Sequence, residues 1–232
     1  MERKVLLFQT GVTVFIRVIV VHIKCVKPAR IFLCRMLHTL RCNHAKNSIT
    51  LDKELKKDLN WFNRFLPVFN GKTFFNKRHP KAVIELDASL NGLGARFGDQ
   101  IYAKALHVNT FQGNIVHLEM VNILVALRLW HHGWRGAKIV ICCDNQAVVS
   151  VLNSGKCQDQ WLAAIARNIL FMAEMYDIDL RLVHVLGKDN SVADTLSRWR
   201  GSITQINFIQ EQVPNYVWCD VPDCYLWIVF VL

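Results

Sequence analysis

From residue 81 to residue 200, short apolar runs with the period of strands alternate with longer runs that have the period of helices. These runs predict the element order β β β α β α α β α. Strands that are connected through helices favour a mixed sheet with helices packed against it. We therefore expect an α/β domain with a five-stranded mixed sheet over residues 81–200.

Two of the predicted strands end in an aspartate. "VIELD" ends at Asp87, and "IVICCD" ends at Asp144. A carboxylate directly after a buried strand is costly unless it reaches water, a partner or a cation. Because ligand sites gather at the carboxyl ends of parallel strands, neighbouring strands would place Asp87 and Asp144 face to face.

Two further acids lie on predicted helices near these strand ends. Glu119 is in the first turn of a helix predicted over residues 118–132, and Asp194 is in the first turns of the last helix. An acid in a first turn often only complements the helix dipole, which is the structural alternative for Glu119. Several carboxylates together, however, supply the hard oxygen ligands that Mg²⁺ prefers. We therefore expect a magnesium site, and two such ions assist the hydrolysis of phosphodiesters.

The stretches that carry these acids resemble the motifs of a known family. They are similar in order and spacing to the four motifs of type 1 ribonuclease H: "IELDASLNGLGA", "HLEMVNILVAL", "VICCDNQAVVSVL" and "HVLGKDNSVADTLSR". The version is similar to that of reverse-transcriptase polyproteins, above all of DIRS-like (tyrosine-recombinase) retroelements. The resemblance implies a ribonuclease H-like fold and an endonuclease that cuts the RNA strand of RNA–DNA hybrids.

The resemblance also implies roles for single residues. Two Mg²⁺ ions, with Mn²⁺ as a substitute, would be bound by the four acids Asp87, Glu119, Asp144 and Asp194. His184 matches the mobile histidine that is thought to assist turnover; the structural alternative is a strand-end histidine that packs on its neighbours. Asn145 and Gln146 stand where family members touch the RNA strand, and a contact with a 2′-hydroxyl there would select RNA.

The sequence departs from the family pattern at Asn122, because an apolar residue is expected one turn after Glu119. In the last motif, Asp189 is predicted to be a turn residue, with Asn190 or Ser191 as the helix cap. No Asp-Asp dipeptide occurs in the sequence, so the YxDD motif of polymerases is absent and polymerase activity is not predicted.

The charge is distributed unevenly along the chain. Residues 1–80 carry 16 basic and 4 acidic side chains, residues 81–200 carry 12 and 11, and residues 201–232 carry 0 and 3. The first segment is basic, predicted to be mostly helical, and resembles weakly the connection between a polymerase and a ribonuclease H. Its charge fits either a nucleic-acid partner or a solvated basic surface. Residues 201–232 form a tail that we leave unassigned.

Two alternatives to an active nuclease remain open. One is an inactive retroelement fragment that acts at most as a nucleic-acid-binding module. The other is a membrane anchor at residues 5–23, although Gln9 and Arg17 interrupt that apolar run and favour no membrane partner. The eight cysteines include no CxxC pair and fit a reducing intracellular setting, the cytoplasm or the nucleus. Cys142 and Cys143 are predicted to be core residues, and no small-molecule cofactor is expected.

Overall fold

The computed structural model describes residues 6–8, 29–42, 48–50, 52–65, 79–106 and 113–227. Two compact units make up the chain: residues 1–76 with 155–158, and residues 77–154 with 159–232. The apolar run at 5–23 lies outside the described residues except for residues 6–8. In the described part of the chain, no helix is both long and apolar enough to cross a membrane.

The described residues of the first unit form two helices and a small antiparallel pair of strands. These elements are β1 (Leu6–Phe8), α1 (Ala29–Cys42), β2 (Ser48–Thr50) and α2 (Lys53–Phe65). Phe32 of α1 stacks on Trp61 of α2 with ring centroids 3.8 Å apart. Arg35 of α1 adds ion pairs to two acids of α2, Glu54 at 3.0 Å and Asp58 at 3.5 Å. Aromatic packing and these ion pairs therefore join the two helices.

Two residues just before α2 are of a type that caps helices, Thr50 and Asp52. Thr50 lies in β2. The side chain of Asp52 instead accepts a hydrogen bond from the backbone N–H of Leu55 at 2.7 Å. Both residue types cap helices well, so composition alone does not distinguish them.

The second unit is built on a six-stranded mixed sheet. Its strands are β3 (Pro80–Ser89), β4 (Gly92–Phe97), β5 (Gln100–Ala105), β6 (Lys138–Cys143), β7 (Asp179–His184) and β8 (Val217–Trp218). Their order across the sheet is β7-β6-β3-β4-β5-β8. β4 is antiparallel to both neighbours, and the other pairs are parallel. The predicted mixed sheet is confirmed, but it has a sixth strand, because two residues of the C-terminal segment pair with β5.

Helices cover this sheet. They are α3 (Ile115–Trp134), α4 (Gln146–Ser154), α5 (Gln160–Met175), α6 (Ser191–Ser197), α7 (Ile203–Gln212) and α8 (Cys224–Trp227), with a 3₁₀ turn at Gly187–Asn190. From β3 to α6 the order of strands and helices is the one predicted. The α/β class expected from the sequence, a mixed sheet flanked by helices, is thereby confirmed.

Two glycines of β4 allow α6 to lie directly on the sheet. A Cβ atom at Gly92 would lie 2.7 Å from the carbonyl oxygen of Ser197, and one at Gly94 would lie 2.3 Å from the backbone nitrogen of that residue. Both distances are shorter than side chains tolerate, so only glycine fits. Consecutive strand residues point to opposite faces, and Leu93, between the two glycines, is fully buried on the other face.

Residues 201–227 belong to the second unit. Ile209 of α7 is fully buried and packs in an apolar cluster with Leu196 of α6. β8 then pairs with β5, and Lys104 of β5 forms an ion pair with Asp223 at 2.6 Å. The segment that the sequence leaves unassigned therefore packs against the sheet.

Candidate active site

The parallel strands β3 and β6 bring two of the predicted acids to the same edge of the sheet. Glu85 is paired with Cys142, so Asp87 and Asp144 both lie two residues further along neighbouring strands. Asp87 is 5% exposed, whereas Asp144 follows the end of β6 and is exposed. The carboxyl ends of these strands thus form the floor of an acidic site that is open on the side of Asp144.

Helix α3 delivers Glu119 to this edge. The helix begins at Ile115 with Asn114 as its cap. Glu119 therefore lies in the second turn, although the sequence predicted it in the first. An acid complements the helix dipole only in the first turn, so that effect does not explain why a glutamate occurs at this position. Glu119 is 2% exposed, and its Oε1 accepts a hydrogen bond from the backbone N–H of Ala88 at 3.0 Å.

The charge of Glu119 is strongly disfavoured in this setting. Burial, and then repulsion by Asp87, raises the pKa of Glu119 to about 9, although the bond from Ala88 lowers it. Asp144 adds further repulsion. A buried acid that is surrounded by other acids is protonated at neutral pH unless a cation compensates its charge.

Asp87 has a milder environment because it has a hydrogen-bond donor. The hydroxyl of Ser197, at the end of α6, donates to Oδ2 of Asp87 at 2.5 Å. Burial raises the pKa of Asp87 to about 6, while this hydrogen bond lowers it and repulsion by Asp144 and Asp194 raises it. Ser197 therefore ties α6 to the acidic edge and favours the ionised form of Asp87.

Asp194 reaches the site from α6. It lies in the first turn of that helix, as predicted, and its charge contributes to the raised pKa of Asp87. Its Oδ1 accepts a hydrogen bond from Nε of Arg198 at 2.8 Å. The fourth acid is thus at the edge of the site and already has a basic partner.

A thiol lies among the carboxylates. One ligand atom from each of Glu119, Cys143 and Asp144 lies within 4.8 Å of the others. Cys143 is fully buried, and its thiol donates to Oε2 of Glu119 over 4.0 Å. Burial, followed by the charge of Glu119, raises the pKa of Cys143, so the thiol is neutral. Cys143 is the core residue that was predicted, whereas Cys142 is only partly buried.

The predicted auxiliary residues border the same edge. His184, exposed at the end of β7, donates from Nε2 to the carbonyl oxygen of Asp144 at 3.1 Å in the tautomer protonated there. Asn145 caps α4, since its Oδ1 accepts from the backbone N–H of Ala147 at 3.1 Å. Gln146 is the first residue of α4 and is exposed. The structure thus places all three next to Asp144.

Asn190 occupies the cap position of α6, as predicted, but its side chain makes no capping hydrogen bond. Its amide donates instead to the carbonyl oxygen of Leu86 at 2.7 Å, which fixes the loop to β3 one residue before Asp87. Asp189 is exposed within the 3₁₀ turn.

Sequence reasoning missed Ser197 and assigned Cys143 only to the core. A serine in "DTLSRW" carries no signal of its own, because its role depends on the approach of α6 to β3. The signal that was available was the pair of glycines in "GLGA", which predicts a close approach of another backbone.

The donor set at this edge fits a hard divalent cation. Carboxylate oxygens from β3, α3 and the end of β6 repel one another, and a cation would remove that repulsion. The buried thiol is a softer ligand than Mg²⁺ prefers. The arrangement as a whole is able to concentrate positive charge at an open, solvent-accessible edge.

Comparison with known proteins supports this description in part. Residues 105–200 match the family described as Reverse transcriptase-like. The match includes Glu119, Asp144 and Asp194, begins after Asp87, and covers less than half of the chain. No curated protein matches the chain. The matched residues lie almost wholly in the second unit.

Two solved ribonuclease H1 structures are similar to the chain. The enzyme from the halophilic archaeon Halobacterium salinarum NRC-1 is 16% identical with a TM-score of 0.38, and the match covers 50% of this chain and 91% of that one. LC11-RNase H1, isolated from compost by a metagenomic approach, is 18% identical with a TM-score of 0.36, and the match covers 51% and 93%.

Proposed function

We propose that this chain is a metal-dependent endonuclease that hydrolyses the RNA strand of RNA–DNA hybrids. The observation that carries the proposal is the convergence of Asp87, Glu119 and Asp144 from three elements, close enough for their charges to interact. Structural ion clusters pair acids with bases, whereas these acids raise one another's pKa. Such an arrangement costs stability and is typical of functional sites that bind cations.

Four acids would hold two Mg²⁺ ions, with Mn²⁺ as the expected substitute: Asp87, Glu119, Asp144 and Asp194. When bound, the ions lower the pKa of an attacking water and offset the charge of the phosphodiester. The role of the protein is to hold the carboxylates in place. Ser197 orients Asp87 through its hydroxyl, and the N–H of Ala88 orients Glu119.

The residues next to Asp144 would meet the substrate. His184 is exposed and touches the backbone of Asp144, so it is placed to exchange protons between the site and solvent. Gln146 and the amide nitrogen of Asn145 would contact the RNA strand. A hydrogen bond to a 2′-hydroxyl, which DNA lacks, is the physical basis for cutting RNA alone.

The remaining assignments rest on the sequence motifs. We propose a retroelement origin, most like the DIRS-like group, and an intracellular location. Residues 1–80 would be a connection that binds the hybrid, and residues 81–200 the nuclease. The first segment carries 16 basic against 4 acidic residues, and phosphate contacts by such residues provide most non-specific affinity for nucleic acids.

The test uses the full chain and a hybrid labelled on its RNA strand. We expect Mg²⁺-dependent cleavage of that strand, no cleavage of the DNA strand and none in EDTA. Asp144→Asn should reduce the rate by about 10²-fold or more, because a metal ligand is lost. Asp189→Asn is the matched control: it removes an exposed aspartate five residues from Asp194 and should leave the rate within about twofold. Cleavage that persists in Asp144→Asn refutes the assignment.

A second function is favoured by one contact. Arg198 pairs with Asp194 at 2.8 Å and so competes with a cation for that acid. This supports an inactive module that binds nucleic acid and does not cut it. Fluorescence anisotropy with the same hybrid distinguishes the two functions, since only the module combines hybrid binding with no cleavage in Mg²⁺.

A further inference from the structure

Asn122 is a fully buried polar residue on α3, one turn after Glu119. Its amide nitrogen donates to the carbonyl oxygen of Asp87 at 2.8 Å and to that of Gly94 at 2.9 Å. Its Oδ1 accepts from the hydroxyl of Tyr102 at 2.6 Å. Both N–H groups and the oxygen of the amide are therefore used, which removes the penalty of burying it.

These contacts join α3 to three strands at one level of the sheet. Asp87 of β3 and Gly94 of β4 are register partners, and Tyr102 is on β5. The amide of Asn122 thus bridges β3 and β4 directly behind the acidic edge. The apolar residue that the family pattern leads us to expect at this position would fill space but satisfy neither carbonyl.

The same peptide group of β3 is also held by Glu119. Asn122 binds the carbonyl of Asp87, and Glu119 binds the N–H of Ala88, which is the other half of the peptide bond between these two residues. Two contacts from successive turns of one helix to one peptide group fix both the height and the rotation of that helix. Without Asn122, the carboxylate of Glu119 would be positioned by the bond from Ala88 and the long contact from the thiol of Cys143.

We propose that Asn122 is a positioning residue that holds Glu119 against Asp87 in the geometry needed to bind a cation. This proposal rests on the proposed function. It assigns a role to the position at which the sequence departs from the family pattern. Residues behind metal ligands typically change cation affinity or activity by about 10–100-fold when they are replaced.

The experiment compares Asn122→Ala with Tyr102→Phe in the full chain. Asn122→Ala removes the donors to Asp87 and Gly94. Tyr102→Phe removes the bond on the other side of Asn122 and leaves both donors in place, so it is the matched control for lost stability. Asn122→Ser, which makes a smaller change, replaces Asn122→Ala if the latter does not fold.

Three measurements are made on each folded variant: hydrogen exchange at the amide of Ala88, Mn²⁺ affinity by electron paramagnetic resonance, and kcat and KM on the hybrid. In the Asn122 variant we expect exchange about tenfold faster, and Mn²⁺ affinity and kcat about tenfold lower with KM unchanged. Tyr102→Phe should cost stability, because it leaves Oδ1 of Asn122 without its donor. Since both donors of Asn122 remain, Mn²⁺ affinity and kcat should stay within about twofold in this variant.

The outcomes separate this proposal from the function on which it rests. Unchanged exchange at Ala88 in the Asn122 variant overturns the positioning role, and so do equal losses in both variants. A wild-type chain that does not cut the hybrid overturns the proposed function alone. Faster exchange at Ala88 in the Asn122 variant would then still support the positioning role, because that measurement needs neither metal nor substrate.

Discussion

Replacing Gly94 with alanine tests whether α6 is held on the sheet by the absence of a side chain. The new Cβ would lie 2.3 Å from the backbone nitrogen of Ser197 and 2.5 Å from the carbonyl oxygen of Ala193. Both are main-chain atoms, so no change of rotamer relieves the contact. Helix α6 has to move outward by about 1 Å, and it carries Ser197 and Asp194 with it.

Overpacking of this kind costs about 1–3 kcal/mol, and contact with main-chain atoms places Gly94→Ala at the upper end. A loss of about 3 kcal/mol corresponds to a fall in Tm of about 6–12 °C for a domain of this size. A glycine-to-alanine change that causes no strain instead stabilises the protein by about 0.4–1 kcal/mol, because it restricts the conformations of the unfolded chain. The sign of the effect therefore separates the two cases.

Gly133→Ala is the control for Gly94→Ala. Gly133 lies in α3, where a Cβ would meet nothing within 4 Å, so alanine should stabilise the protein by up to about 1 kcal/mol. Urea unfolding followed by circular dichroism and tryptophan fluorescence measures both variants. If Gly94→Ala loses less than about 1 kcal/mol, α6 does not lie on β4 as described, and the approach of Asp194 to Asp87 has no support.

Two further predictions concern buried groups. In EDTA, the free energy of unfolding should fall as the pH rises from about 5 to about 9. Folding raises the pKa of Glu119 from 4.5 to about 9, so in this range the folded chain keeps the proton of Glu119 while the unfolded chain releases it. Urea unfolding across this range should show a smaller slope in Glu119→Gln, and an equal slope would contradict the raised pKa. Ile209→Ala empties a fully buried position in α7 and should cost about 2–5 kcal/mol. On the same helix, Ile203→Ala changes a residue that is 77% exposed and should cost under about 0.5 kcal/mol in the same assay. Equal costs would mean that residues 201–227 do not pack on the sheet.

The main features of the second unit could be predicted because they depend on local pattern. The alternation of apolar runs gave the element order, and the aspartates at two strand ends gave Asp87 and Asp144 as neighbours. Both inferences need only the period of strands and the convergence of parallel strand ends. The structure brings Glu119 to the same edge, although α3 begins earlier than its apolar pattern indicated.

What could not be predicted depends on contacts between distant segments. Ser197 and Asn122 are single polar residues, and the partners that explain them lie in strands far away in the sequence. β8 has two residues, too few for any period, so the packing of the C-terminal segment gave no local signal. In each case the role of the residue or strand depends on its contacts with distant segments of the fold, and its neighbours in sequence do not indicate it.

The four acids of the site have unequal environments, and this has a chemical consequence. Glu119 and Asp87 are buried with pKa values raised to about 9 and about 6, Asp144 is exposed, and Asp194 is paired with Arg198. Without a cation, the site therefore keeps a proton on Glu119 at neutral pH. If the acids bind a divalent cation as proposed, that cation would have to displace the proton of Glu119 and compete with Arg198. Cation affinity would then depend on burial and on the neighbouring guanidinium as well as on the number of carboxylates.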